Sequence, residues 1–356
     1  MSSRRALLCS LFALAVPPGL RLEAQPPVVE ERLEVREVGI LADLPADLRG
    51  ATREELARRI VVLENGLARE VMSVDRVGGA STDAYSRVVV LADVARCSDE
   101  ILLTGAAAFG AHAGLLVALG PVELVRLGEE TLETLFGPSR SSADTAEALA
   151  ALAGRERCGP APAADRAGRA TAEVAALRCA APPCLLAWIG PGWGAGPEVS
   201  GGRVELPASV AASEPLAREL ATKGWTFLAA PIAPAASGER RQNVREPTHA
   251  PGSDRYTFGV NVLARDQQPP LTADEYERFV DLWLAPLRRL VGATAGEFVE
   301  RADRLPEALT SFAHRSIVYY RAERRPGAEP PRLEVREPGT PGRSFRAPEW
   351  APGAER

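Results

Sequence analysis

The sequence predicts an α/β protein: a mostly parallel, doubly wound sheet with a β module formed by its N- and C-terminal segments. Three observations point there. Residues 85–315 alternate short apolar runs with longer helical patterns, as expected of strands covered by helices on both faces. Residues 28–77 and 316–348 instead alternate apolar and polar positions between turn signals. The hexapeptide Arg-Leu-Glu-Val-Arg-Glu occurs at 32–37 and again at 332–337. That duplication fits two similar strands in one module, although so Arg/Glu-rich a chain can also repeat it by chance.

The elements follow in order. Leu33, Val35 and Val38 are the apolar beats of a strand over 31–40, and 53–58 predicts a short helical turn. Ile60 to Leu63, the Glu64-Asn65-Gly66 turn and Glu70 to Val74 predict a hairpin, because Asn-Gly accepts positive φ. Strands are expected at 86–92, 121–127, 131–136, 184–189, 225–230 and 297–300. Helices are expected at 99–118, 142–153, 163–179, 207–222, 272–294 and 304–314. On the helix from 272, Phe279 and Trp283 form a core-facing stripe. Residues 232–270 are rich in Pro, Gly and Arg and predict a long excursion with local β structure near Tyr256–Leu263. Ser316–Tyr320, Leu333–Glu337 and Ser344–Arg346 return to β character.

A chain of 356 residues with 46% hydrophobic content can bury one large core or two smaller ones, and 25% charged residues argue against global disorder. Arg4 and Arg5 precede an apolar stretch from Ala6 to Val16 that ends at Pro17-Pro18. That stretch is too short to span a bilayer but suits a signal peptide cleaved after Ala24. The expected organisation is a signal peptide over 1–24, an N-terminal β segment over 25–80, an α/β domain over 81–315 and a C-terminal β segment over 316–356. No later segment is long enough to cross a membrane, so an exported protein, periplasmic or extracellular, is expected. Removing Arg4, Arg5, Arg21 and Glu23 with the leader takes the net charge from −5 to −7. Such a chain has no electrostatic case for nucleic acid.

Catalytic patterns are weak. There is no G-x-S-x-G elbow, and His112, His249 and His314 lack a serine or cysteine partner in any motif. Gly190-Pro191-Gly192-Trp193-Gly194-Ala195 matches G-x-G-x-x-[GA] after a strand, but glycines and a proline delay the next helix to about residue 207. A dinucleotide cradle needs that helix immediately. A Trp-bearing loop, with Trp193 as an exposed aromatic anchor, is expected instead. No catalytic residue and no cofactor is assigned.

Several segments, in order and spacing, resemble bacterial VWFA-related proteins, which are exported chains with a von Willebrand factor type A-like domain between β segments. Val61–Val71 is similar to the family's hairpin, with Asn65 in the usual Asp place. Val88–Ser98 and Gly120–Val125 resemble its first two strands, and Leu185–Gly190 its fourth. Leu287–Phe298, with Gly292 and Gly296, is similar to the segment near the domain's end. Ser316–Tyr320 and Leu333–Arg336 resemble its closing β region. The resemblance implies a vWA-like sheet whose carboxyl-edge loops hold a divalent metal through oxygens, the first by Asp-x-Ser-x-Ser. Here the acid is Asp93, but Ala95 and Cys97 take the hydroxyl positions and Ser98 is one residue out of register. The second loop, 154–164, has neither Thr nor Ser, and the third offers Gly190-Pro191-Gly192 in place of an Asp. Mg²⁺ needs several fixed oxygens, so no metal is expected and Asp93 is expected to cap the loop or the following helix. The implied role is a non-enzymatic interaction or scaffold protein that binds an unidentified protein around Asp93, Arg96, Gly192 and Trp193. The alternative is an envelope-associated hydrolase using the 232–270 insertion, with a dyad near His249 and Asp254 that no spacing supports.

Outside the leader's Cys9, four cysteines remain: Cys97, Cys158, Cys179 and Cys184. Four permit three pairings, which sequence alone does not choose between. Strand polarity favours Cys97–Cys158, where a metal would have joined two loops, and Cys179–Cys184 at the amino edge. Four buried thiols are the alternative. The longer bridge would contribute roughly 3–4 kcal/mol in the chain-entropy view.

Overall fold

The computed structural model describes residues 34–48, 50–77, 84–94, 99–128, 131–155, 166–190, 192–193, 198–200, 203–205, 208–232, 273–324, 327–340 and 342–352. The chain runs β1 (Glu34–Ala42), α1 (Arg53–Arg59), β2 (Val61–Glu64), β3 (Leu67–Arg69), β4 (Val71–Arg76) and β5 (Arg87–Asp93). It continues as α2 (Asp99–Ala111), α3 (Ala113–Leu119), β6 (Val122–Leu127), β7 (Leu132–Ser139), α4 (Ser142–Arg155), α5 (Arg166–Ala175) and β8 (Cys184–Ile189). Then come β9 (Glu198–Ser200), β10 (Arg203–Glu205), α6 (Ala208–Thr222), β11 (Trp225–Ala230), α7 (Ala273–Ala293) and β12 (Glu297–Phe298). The last are α8 (Leu305–Ala313), β13 (Ser316–Arg324), β14 (Leu333–Arg336) and β15 (Ser344–Phe345).

A six-stranded sheet of order β12-β11-β8-β5-β6-β7 forms the centre, parallel except for β7. Strands β8 and β11 are buried throughout and β5 nearly so, which is why they read as continuous apolar runs rather than alternating ones. β7 runs antiparallel because the connection from Leu127 to Leu132 is too short for a crossover. Leu102 and Phe109 of α2, Leu116 of α3, Leu149 of α4 and Leu309 of α8 pack on one face. Val174 of α5, Leu216 and Leu220 of α6, and Leu284 and Leu287 of α7 pack on the other. The result is a three-layer mixed α/β structure.

Strands from before and after this layer share two further sheets, β1-β13-β4 and β15-β14-β2-β3. Alternate residues of these strands meet over one core that contains Ile40, Val62, Val74, Val318, Tyr320 and Val335. Leu56 of α1 closes that core, and α1 is started by a capping box between Thr52 and Glu55.

Three details differ from the sequence expectation, and the placement of the repeated hexapeptide adds to it. Asn65 (φ 49°) and Gly66 (φ 82°) form the expected tight turn, but the returning strand is β3, and β4 leaves for the other sheet. The described parts of the two hexapeptide copies lie in different sheets of the module, β1 paired to β13 and β14 to β2. The apolar helix from 99 breaks at His112 into α2 and α3, bent by 68°; Gly110 and Gly114, weak helix formers, flank the break. The strands β9 and β10 form an unexpected small hairpin. Among the described residues, no single helix is long and apolar enough to cross a membrane.

Candidate functional site

The strand order reverses between β5 and β8: the chain moves outward through β6 and β7, then crosses back to begin β8 on the other side of β5. In open α/β sheets ligands sit beyond the carboxyl ends of the strands at such a switch point. Asp93, the last residue of β5, stands there fully buried, in register with Leu127 of β6. The Val94 amide donates to the Leu127 carbonyl at 3.2 Å, continuing the ladder one residue past the strand.

The turn after β8 completes the site in an unexpected way. Trp193 is 2% exposed, not a surface anchor. Its ring lies 4.7 Å from that of Trp188, and its Nε1 donates to Thr171 Oγ1 of α5 at 3.2 Å. The turn folds inward because its glycines leave room: a Cβ on Gly192 would sit 2.2 Å from Trp283 Nε1. Trp283 itself is buried, as the stripe on α7 predicted; the side chain of Phe279 lies outside the described residues. Trp188, Trp193 and Trp283 thus pack the space beneath the switch point. Asp93, Gly192 and Trp193 are all buried, so the exposed aromatic anchor expected at Trp193 is corrected to a buried one. Arg96, Cys97 and Cys158 lie outside the described residues, as do 233–272 with His249, Asp254 and the β structure expected near Tyr256.

Asp93 by itself does not supply the several fixed oxygens that a divalent cation needs. Asp93 is the buried carboxylate described there, while α2 opens on Asp99 and Glu100, whose side chains lie outside the described residues, and glycines and Trp193 follow β8. Among the described residues no cluster of three or more His, Cys, Asp or Glu side chains is placed to share an ion.

At the opposite, amino edge of the sheet, Cys179 and Cys184 form the expected disulfide, joining the segment after α5 to the start of β8. Cys184 pairs in register with Arg87 and Trp225, and Arg87 is held by Glu123 at 2.6 Å. A groove of about 270 Å³ opens nearby between Pro182-Pro183, Trp225 and Tyr319 of β13. Desolvation there raises the Tyr319 hydroxyl above its usual range.

Two ion networks invisible to motif reading bind the layers together. Arg289 of α7 pairs with Glu214 of α6 and with Glu349, at 2.5 Å each, and lies over the Trp350 ring. The Arg289 hydrogen bond holds the Glu214 carboxyl below its ordinary range. Glu297 of β12 accepts from Ser311, Arg315 and Arg346. Arg and Glu are so frequent in this chain that no local signal marks these particular ones.

Fold and site define a mixed α/β protein with an indole-packed switch point. No protein-family model matches the chain, and a search of curated proteins finds no significant match.

Proposed function

We propose that this protein is an exported, non-enzymatic interaction module of the VWFA-related kind: a von Willebrand factor type A-like domain that has lost its metal-dependent adhesion site, braced by a β module. The observation that carries the reading is Asp93. Among the described side chains it is the one buried carboxylate at the switch point, flanked by a glycine turn and indoles where further oxygens would be needed. The six-stranded sheet with one antiparallel edge, and the β strands shared between early and late segments, are compatible with it. Without a cation to bridge to a partner's carboxylate, a protein partner would be held by the shape of the carboxyl-edge turns, which stand on the Trp188–Trp193–Trp283 cluster.

Titration with Mg²⁺ or Mn²⁺ while following thermal unfolding tests this reading. The expected change in Tm is below about 1 °C, because a ligand that does not bind the folded state cannot stabilise it. A rise of several degrees that disappears in Asp93→Asn would overturn it. Fusion of the full chain to a reporter enzyme active only in an oxidising compartment tests export: activity is expected, and a silent reporter counts against it.

A further inference from the structure

Arg315, between α8 and β13, is fully buried. A guanidinium keeps its proton inside a protein, so the whole charge enters the interior. Its contacts do not balance it. Nη2 donates to Glu297 Oε1 at 3.3 Å, and the same oxygen accepts from Arg346 Nη1 at 2.8 Å and Ser311 Oγ at 3.2 Å. Two cations therefore share one carboxylate. The Phe312 ring lies 4.3 Å from the guanidinium carbon, but an aromatic face engages the face of the cation and leaves its in-plane N–H groups unanswered. Arg315 Nε and Nη1 are buried without a hydrogen-bond partner.

A second donor converges on the same place. The Tyr85 hydroxyl lies beside Arg315 and Thr226, itself buried and without a hydrogen bond of normal geometry. Burial pushes its pKa up to about 12, so it stays protonated and able to donate. Its ring is fixed edge-on to Phe312 at 6.1 Å. Charged N–H groups and a phenol hydroxyl thus gather in the interior around a spot where the Glu297 carboxylate oxygen is already shared between two guanidinium groups and a serine hydroxyl.

We propose that Arg315 and Tyr85 hold a small monovalent anion of the chloride class between α8, β11 and the start of β5. A water molecule could accept these hydrogen bonds, but it would leave the buried cation uncompensated, which is strongly unfavourable. The complete burial of both side chains excludes a bulky anion. This site is independent of the switch point and of the function proposed from it.

The test uses the full chain at constant ionic strength, with sodium chloride replacing sodium gluconate. Tm is expected to rise by several degrees and to saturate with chloride. Tyr85→Phe keeps the ring packing, removes one donor and is expected to weaken the apparent chloride affinity at least about threefold; Arg315→Met is expected to abolish the response. Crystals grown in bromide are expected to show an anomalous peak within hydrogen-bonding reach of Arg315 Nε. Equal Tm values in the two salts, a response retained by Tyr85→Phe at full affinity, or a water-like peak with no anomalous signal would each overturn the proposal. Tyr85→Phe carries the test if Arg315→Met fails to fold.

Discussion

Gly192 is constrained by contact rather than by backbone conformation. In Gly192→Ala the new methyl meets the Trp283 indole at 2.2 Å, so either the turn or a buried ring must shift. Overpacking of this kind costs about 1–3 kcal/mol, and at about 2–4 °C per kcal/mol Tm should fall by several degrees in a thermal melt. An unchanged Tm would mean that the turn does not lie against Trp283. The burial of Trp193 was illegible for a related reason. A run of glycine and proline around one tryptophan has the composition of an exposed loop, while the partners that bury it, Thr171 and the Trp188–Trp283 pair, come from other elements. The position of Asp93, by contrast, was plain, because it ends an unbroken apolar strand.

Elements buried on both faces were the most legible. β8 and β11 occupy the residues expected of them, because six consecutive apolar or near-apolar residues between turn signals leave little choice. β9 and β10 escaped notice because each has three residues with one apolar member, too few to show a period. The bridge between α5 and β8 belongs to this scale too. It links cysteines five residues apart, and so short a loop contributes about 2 kcal/mol in the chain-entropy view. The double variant Cys179→Ser/Cys184→Ser should therefore lose about that much in denaturant unfolding. Alkylation of the unfolded protein checks both proposed bridges. Without reductant, Cys97, Cys158, Cys179 and Cys184 should all stay unlabelled, and all four should label after reduction. Labelling of Cys97 and Cys158 alone without reductant would remove the longer bridge and leave the shorter one standing.

The whole molecule depends on how its last strands are fastened to the α/β layer. That early and late segments share sheets was legible from their common alternation, since strands with one polar face must find a partner to bury the other. The fastening itself was not legible. The Glu349 amide donates to the carbonyl of Ala293 at the end of α7, and Arg289 grips Glu349 and Glu214 together. This clamp should be sensitive to acid. Arg289 keeps the Glu214 carboxyl below its ordinary value of 4.5, so the folded protein binds that proton less readily than the unfolded chain. The stabilisation is then complete above about pH 4.5 and lost as pH falls through the lower folded value. Glu214 is 47% exposed, so solvent screening keeps its contribution under about 1 kcal/mol. Glu214→Gln should melt slightly below the parent protein at pH 7, and the gap should narrow as pH falls below about 4.5 and the parent carboxylate takes up its proton. A gap that stays constant from pH 7 to pH 3 would assign Glu214 a packing role and leave the hold on the C-terminal segment to Glu349 and the Trp350 ring.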